Sequence, residues 1–314
     1  MKAPVAVTGG SGFIGRALVR RLVEAGWPVR ALIRRHSPEL EQLGVVAVRG
    51  SLENGAALRE LVAGAVAVVH CAGLVAAPNA AAFSEVNVLG SARLFAAAAA
   101  AATRPRILLL SSLAAREPGL SAYARTKRAG EETLWRVAER GVEVCVLRPP
   151  AVYGPGDRAT LPIFRQLRTG LLLVPAVKDA RFSLLYVHDL ADAIAHLLAT
   201  AEWGSCLLEP DDGRQGGYCW ADLAEIAGRQ LGRRVRTIPI GRAVLWPVAG
   251  IDTWIGAALG RAPRLSPGKL RELFHADWVV RPSPASALQA WSPRTTFESG
   301  FEQTMAWYRE RRWL

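Results

Sequence analysis

Thr8-Gly9-Gly10-Ser11-Gly12-Phe13-Ile14-Gly15 follows an apolar run, Ala3 to Thr8, and precedes a helical pattern, Phe13 to Ala25. Gly10, Gly12 and Gly15 satisfy G-x-G-x-x-G, and Gly9, Gly12 and Gly15 satisfy G-x-x-G-x-x-G. Between a first strand and a first helix such glycines have three uses: the chain turns sharply, its backbone approaches a pyrophosphate, and the helix packs close to the strand. The helix start then offers unpaired N–H groups and a positive dipole end to phosphate. The stretch predicts a dinucleotide turn opening a β-α-β unit.

Outward from it, short apolar runs alternate with helical patterns. Val29 to Ile33, Val45 to Arg49, Ala67 to His70, Arg106 to Ser111 and Val142 to Leu147 read as further buried strands, six in all. Gly55 to Val62, Asn87 to Ala102 and Ala122 to Glu139 read as crossover helices. The predicted fold is α/β, a doubly wound parallel sheet with a smaller C-terminal α/β lobe. Residues 1–155 form the nucleotide-binding domain, to which the chain returns at about 181–203; residues 156–180 and 204–314 form the substrate lobe. Eight of ten tryptophans lie beyond residue 200, which suits an apolar substrate pocket. Spacing alone puts Trp246 and Trp254 in the core.

The chain has 314 residues, 51% hydrophobic and 21% charged, which excludes a disordered polymer. Four cysteines without C-x-x-C spacing predict free thiols, and the N-terminus reads as no export signal, so a cytoplasmic protein is expected. A net charge of +12 favours anionic partners. The basic residues are scattered and no nucleic-acid motif is found, so no nucleic-acid partner is expected. Residues 240–259 are strongly apolar but interrupted by Arg242, Pro247 and Asp252; a spanning helix is not expected, whereas peripheral membrane contact is open.

About twenty residues past such a turn an acid holds the ribose hydroxyl of NAD, whereas arginine accepts the extra phosphate of NADP. Here the second strand ends in Arg34-Arg35, which predicts NADP rather than NAD. The alternative is two solvated members of a basic surface. Tyr123 and Lys127 stand four apart on one helix face. With five Tyr and four Lys, Y-x-x-x-K arises by chance about 0.06 times. An ammonium beside a phenol favours the phenolate, as acid-base work on an alcohol or ketone requires. Ser111 and Ser112 end the fifth strand, where a hydroxyl either holds a reacting oxygen or only satisfies backbone groups.

The ordered set TGGSGFIG, VVHCAG (Val68 to Gly73), Asn87-Val88-Leu89-Gly90, LLLSS, Y-x-x-x-K, Leu147 to Gly156 and Tyr186-Val187-His188-Asp189-Leu190 resembles the extended short-chain dehydrogenase/reductase superfamily. Within it the chain is most similar to the NAD(P)-dependent epimerase/dehydratase family and its 3β-hydroxysteroid dehydrogenase and dihydroflavonol reductase-like branch. The resemblance implies a Rossmann fold with Tyr123 as acid/base, Lys127 as its partner on the nicotinamide ribose, and Ser112 polarising the substrate oxygen. It implies cofactor contacts from Gly9, Gly12, Phe13, Ile14, Gly15, Arg34, Arg35, Ser51, Leu52, Cys71, Ala72, Gly73, Asn87, Tyr123, Lys127 and Pro149, with no metal. It also implies a homodimer through the helices Asn87 to Ala102 and Ala122 to Glu139. Sugar-nucleotide dehydratases carry Asp-Glu after the active-site hydroxyl, where this chain has Leu113-Ala114; sugar-nucleotide epimerases carry Asn where it has Ala151. Family members commonly carry Asp where this chain has Ser51, whose hydroxyl still accepts a hydrogen bond. The expectation is an NADP-dependent alcohol/ketone oxidoreductase acting on a small apolar or aromatic molecule. A nucleotide-sugar epimerase or reductase, and a non-catalytic NADP-binding regulator or assembly factor, remain as alternatives. Tyr153 is a candidate for the nicotinamide side of the cleft.

Overall fold

The computed structural model describes residues 2–201, 203–281, 288 and 290–314. Six apolar segments form β1 (Val5–Thr8), β2 (Val29–Ile33), β3 (Val46–Arg49), β4 (Ala67–His70), β5 (Arg106–Leu110) and β6 (Val144–Leu147). Between them run α1 (Phe13–Glu24), α2 (Pro38–Gln42), α3 (Gly55–Val62), α4 (Ala80–Ser84), α5 (Ser91–Ala100) and α6 (Ala122–Ala138). The strands β1, β4 and β6 are buried at every position, because helices cover both faces of the sheet.

After β6 the chain leaves the sheet through β7 (Ala151–Tyr153), α7 (Leu161–Thr169), β8 (Leu171–Pro175), β9 (Arg181–Phe182) and β10 (Leu184–Tyr186). It then returns through α8 (Val187–Ala199), packed beside α1, to β11 (Cys206–Leu208). The parallel sheet has seven strands in the order β11-β6-β5-β4-β1-β2-β3. Six strands were expected, with residues from 204 onward in the second lobe. The seventh, three residues long after Gly204 and Ser205, is too short to show a period. Its Cys206 pairs with Cys145 of β6, and both are free thiols with sulfurs 3.5 Å apart. Strand order reverses between β1 and β4, so a crevice opens at their carboxyl ends, the switch point where doubly wound sheets take ligands.

The remainder is α9 (Trp220–Leu231), β12 (Arg236–Ile240), α10 (Arg242–Ala258), α11 (Pro267–Leu273), β13 (Asp277–Trp278) and α12 (Phe297–Glu310). Parallel pairs β8/β12 and β9/β13 tie it to the inserted segments, within which β7 pairs with β10. Its core is a stack of phenyl and phenol rings, Tyr153, Phe164, Phe297, Phe301 and Tyr308 among them. Tyr153 is therefore core and not a wall of the cleft. Its hydroxyl lies 3.5 Å from the Thr296 carbonyl, and a Cβ on Gly300 would overlap it. The tryptophans also depart from expectation: Trp246 and Trp254 lie on the surface.

The expected single helix Asn87 to Ala102 breaks into a π-helical turn, Glu85–Gly90, before α5. The wide turn carries the Asn87 side chain sideways, away from the helix axis and toward the crevice loop.

Candidate active site

The glycine turn is shaped by contacts that exclude side chains. Gly9 has φ of +72°, and a Cβ there would stand 2.7 Å from the Ala72 nitrogen. A Cβ on Gly15 would stand 2.0 Å from the Gly9 carbonyl oxygen. Gly12 N–H donates to that same oxygen at 2.9 Å, and no side chain caps the start of α1. The first-turn N–H groups of α1 thus point into the crevice with a dipole suited to phosphate. Phe13 and Ile14 are half-buried on the opening turn, Ile14 against the sheet core.

Thr8 and His70 face each other across β1 and β4. Ser91 donates to the Asn87 carbonyl at 2.9 Å, so it accepts from His70 Nε2 at 2.8 Å, leaving Nδ1 to accept from the Thr8 hydroxyl at 2.6 Å. Thr8 Oγ1 accepts from Ala72 N–H at 3.2 Å. Burial, and secondarily the charge of Lys127, push the His70 pKa down to about 3, so this ring is a neutral strut.

Next along the loop, Leu74 N–H donates to Asn87 Oδ1 at 2.7 Å, while Asn87 Nδ2 donates to the Leu74 carbonyl at 3.0 Å and to Thr126 at 3.2 Å. The Asn87 amide is spent on fixing the loop. Cys71 and Ala72 are half-buried and Gly73 is exposed; a Cβ on Gly73 would lie 3.2 Å from Asn87 Oδ1 and 3.8 Å from Lys127 Nζ.

The helix α6 starts at Ser121, whose hydroxyl accepts from Ala124 N–H at 2.9 Å. One turn separates half-buried Tyr123 from half-buried Lys127. Lys127 Nζ donates to the Leu110 carbonyl at 2.6 Å, which places it at the end of β5 beside Ser111 and Ser112. The two serines divide their work: Ser111 donates to Glu131, whereas Ser112 lies against the Tyr123 hydroxyl and caps a short turn, accepting from Ala114 N–H at 3.2 Å. Burial pushes the Tyr123 phenol up to about 12, with the Ser112 hydrogen bond pulling it down and the Glu272 charge pushing it up. The lowering by Lys127 expected from sequence is not realised, because the ammonium turns to the Leu110 carbonyl. Burial lowers Lys127 to about 8, resisted by Glu131.

Other expected cofactor residues lie on the β2 and β3 side or beneath the crevice. Arg34 and Arg35 follow β2, exposed, and among the described residues neither side chain has a hydrogen-bond or ion-pair partner. Ser51 is half-buried and accepts from Glu53 N–H at 3.2 Å; Leu52 is buried, with Gly90 close against it. Pro149 is buried, its carbonyl accepting from Leu113 N–H at 2.9 Å.

Sequence reading missed the carboxylates behind the site. Glu131, 1% exposed, binds Arg148 through two bonds of 2.8 and 2.5 Å. Arg148 also lies 3.6 Å from Glu209, which faces Arg116 at 3.5 Å. Burial opposes the Arg148 charge, yet Glu131 and Glu209 together raise its pKa. The i, i+4 spacing that paired Tyr123 with Lys127 continues to Glu131 and was the available signal. From the second lobe, buried Glu272 accepts from Ser121 and from Lys269 at 3.0 Å. No local pattern signals Glu272, since α11 meets α6 only through tertiary packing.

The sequence pattern of the NAD dependent epimerase/dehydratase family matches residues 5–205. A ceramide reductase of Caulobacter vibrioides (strain NA1000 / CB15N) is 38% identical over 314 residues, 99% of this chain and 96% of that protein. A 2-alkyl-3-oxoalkanoate reductase of Stenotrophomonas maltophilia (strain K279a) is 31% identical over 214 residues, 62% of this chain and 64% of that protein. The fold is shared with the UDP-glucose 4-epimerase of Thermus thermophilus in complex with NAD: TM-score 0.70 and 22% identity, covering 98% of this chain and 99% of that one. The chain is an enzyme of the extended short-chain dehydrogenase/reductase type and belongs to the NAD-dependent epimerase/dehydratase family.

Proposed function

We propose that this enzyme uses NADPH to reduce the keto group of a long-chain, ceramide-class lipid to a secondary alcohol. The observation that carries the reading is what gathers at the carboxyl edge of the sheet: Gly9 close against Ala72, Gly73 beside Lys127 Nζ, Lys127 on the Leu110 carbonyl and, one helix turn away, Tyr123 beside Ser112. The glycine cradle and the uncapped start of α1 fit a dinucleotide pyrophosphate. Arg34 and Arg35, unpaired and with no acid at the end of β2, suit the extra phosphate of NADP. When bound, the nicotinamide supplies hydride to a carbonyl carbon. Tyr123 donates the proton to the carbonyl oxygen, Ser112 hydrogen-bonds that oxygen, and Lys127 holds the ribose beside them. The substrate class is supported by the full-length similarity to a ceramide reductase and the partial similarity to a reductase of alkyl 3-oxo acids.

The test is NADPH consumption with long-chain keto lipids in mixed micelles, beside a panel of sugar nucleotides. Tyr123→Phe removes the proton donor and lowers kcat by about 10²–10⁴-fold while NADPH affinity is kept. Near-normal turnover in that variant, or turnover of sugar nucleotides and of no lipid, overturns the proposal.

A further inference from the structure

From Ala243 to Gly260 the chain carries one ionisable side chain, Asp252. That carboxylate is turned inward and fully engaged. It pairs with Arg261 at 3.1 Å and accepts from Leu265 N–H at 2.9 Å. On the same inner side Leu245 and Ala249 pack on Leu270 of α11 and on Phe274 at its end. The opposite side of α10 is apolar and bare: Val248, Ile251 and Trp254 are 52%, 60% and 72% exposed, with Val244 and Trp246 exposed beside them. The strand pair that feeds the helix adds exposed Leu171, Leu173 and Ile238. So many large apolar side chains exposed on one helix and the strands before it are uncommon on a protein that meets only water.

Arginines bracket it. Arg233, Arg234, Arg236 and Arg242 precede the outer face, and Arg261 and Arg264 follow it. Arg234, Arg236 and Arg264 are exposed, and among the described residues their side chains have no hydrogen-bond or ion-pair partner. Two such faces apposed in a dimer would bring unpaired arginines together, whereas an anionic surface neutralises them. At 17 residues α10 is about 25 Å long, short of a ~30 Å hydrocarbon core, and Pro247 interrupts it. Among the described residues no helix is long and apolar enough to cross a membrane.

We propose that α10 docks the enzyme flat on an anionic lipid bilayer, its outer face sunk at the headgroup boundary and the flanking arginines on lipid phosphates. The arrangement does not depend on which ketone is reduced. It bears on access all the same: α11 lies directly under α10, and its Glu272 holds Ser121, two residues before Tyr123. The lipid-facing helix and the site helix therefore share one buried neighbour.

Flotation of the full chain with phosphatidylglycerol/phosphatidylcholine vesicles tests this, with oligomeric state followed by size exclusion. The wild type co-floats at low salt, and floats weakly with pure phosphatidylcholine or at high salt. The double variant Ile251→Asp/Trp254→Asp partitions about tenfold or more weakly, while thermal midpoint and NADPH affinity stay unchanged, because both side chains face outward. Absence of vesicle binding, unchanged flotation of the double variant, or a wild-type dimer that the variant dissociates without any vesicle binding overturns the proposal.

Discussion

Replacing Glu131 by Gln separates two consequences of one buried charge. In the wild type, both carboxylate oxygens meet the Arg148 guanidinium, and one also accepts from Ser111. Removing one member of such a pair costs about 3–5 kcal/mol, since the other charge stays buried. The isosteric amide keeps one acceptor, and Glu209 remains 3.6 Å from Arg148, so the lower end applies, about 3 kcal/mol. Unfolding entropy scales to about 0.66 kcal/mol/K for 314 residues, so the thermal midpoint falls by about 4–5 °C. The second consequence is electrostatic. Glu131 resists the lowering of the Lys127 pKa, which stands at about 8, and without it that value drops further. Calorimetry reads the first effect; the pH profile of kcat/KM for NADPH reads the second, as an alkaline limb displaced toward acid. A midpoint within about 1 °C of wild type refutes the buried pair as a stabilising element. A limb that does not move refutes its coupling to Lys127.

Arg34→Ala with Arg35→Ala removes charge-assisted bonds to a ribose phosphate, so KM for NADPH rises about 10–100-fold and that for NADH changes little; equal effects on the two would show surface charges only. In the wild type, kcat/KM for NADPH falls as pH rises through about 8, because the Lys127 ammonium is present below that value and lost above it. Tyr123, near 12, stays protonated throughout and contributes no limb in this range, so a limb found only above pH ~10 contradicts the assignment. Gly15→Ala drives a Cβ to 2.0 Å from the Gly9 oxygen and abolishes NADPH binding by calorimetric titration; Gly26→Ala, at φ of +74° with nothing within 4 Å, costs about 1 kcal/mol and leaves binding intact.

What was legible in the sequence follows burial symmetry. The strands β1, β2, β4 and β5 are covered on both faces, so their apolar runs stand out, and the observed bounds lie within two residues of those expected. Tyr123 and Lys127 were legible because helix spacing alone relates them. Features fixed by distant packing were not. The π-helical turn at Asn87 forms where that amide bonds Leu74 and Gly130 lies close under its carbonyl, contacts that no local period encodes. Tyr153 sits where family position suggested a cleft wall, but α12 brings Gly300 onto its ring and makes it core. Trp254 has the spacing of a buried residue, yet α10 buries only its Leu245 and Ala249 side against α11.

The phenol raised to about 12 has a consequence for the direction of the proposed reaction. Were Lys127 to lower Tyr123 toward neutrality, as the sequence suggested, the phenolate would be a ready base for alcohol oxidation. Burial instead keeps Tyr123 a neutral acid at physiological pH, with Ser112 against its hydroxyl. An alkoxide developing as hydride arrives is more basic than a phenolate, so proton transfer from Tyr123 is downhill even at this pKa. The same burial would make oxidation start from the costlier, deprotonated phenol. Ketone reduction is therefore the direction for which this site is already protonated, and second-lobe Glu272, which raises the phenol further, biases it the same way. Glu272→Gln relieves that charge and so raises kcat for oxidation relative to kcat for reduction at a given pH, both measured at saturation, since the ratio of the kcat/KM values is fixed by the equilibrium. A ratio unchanged from wild type would mean that Glu272 only braces Ser121 and leaves the proton affinity of Tyr123 to burial alone.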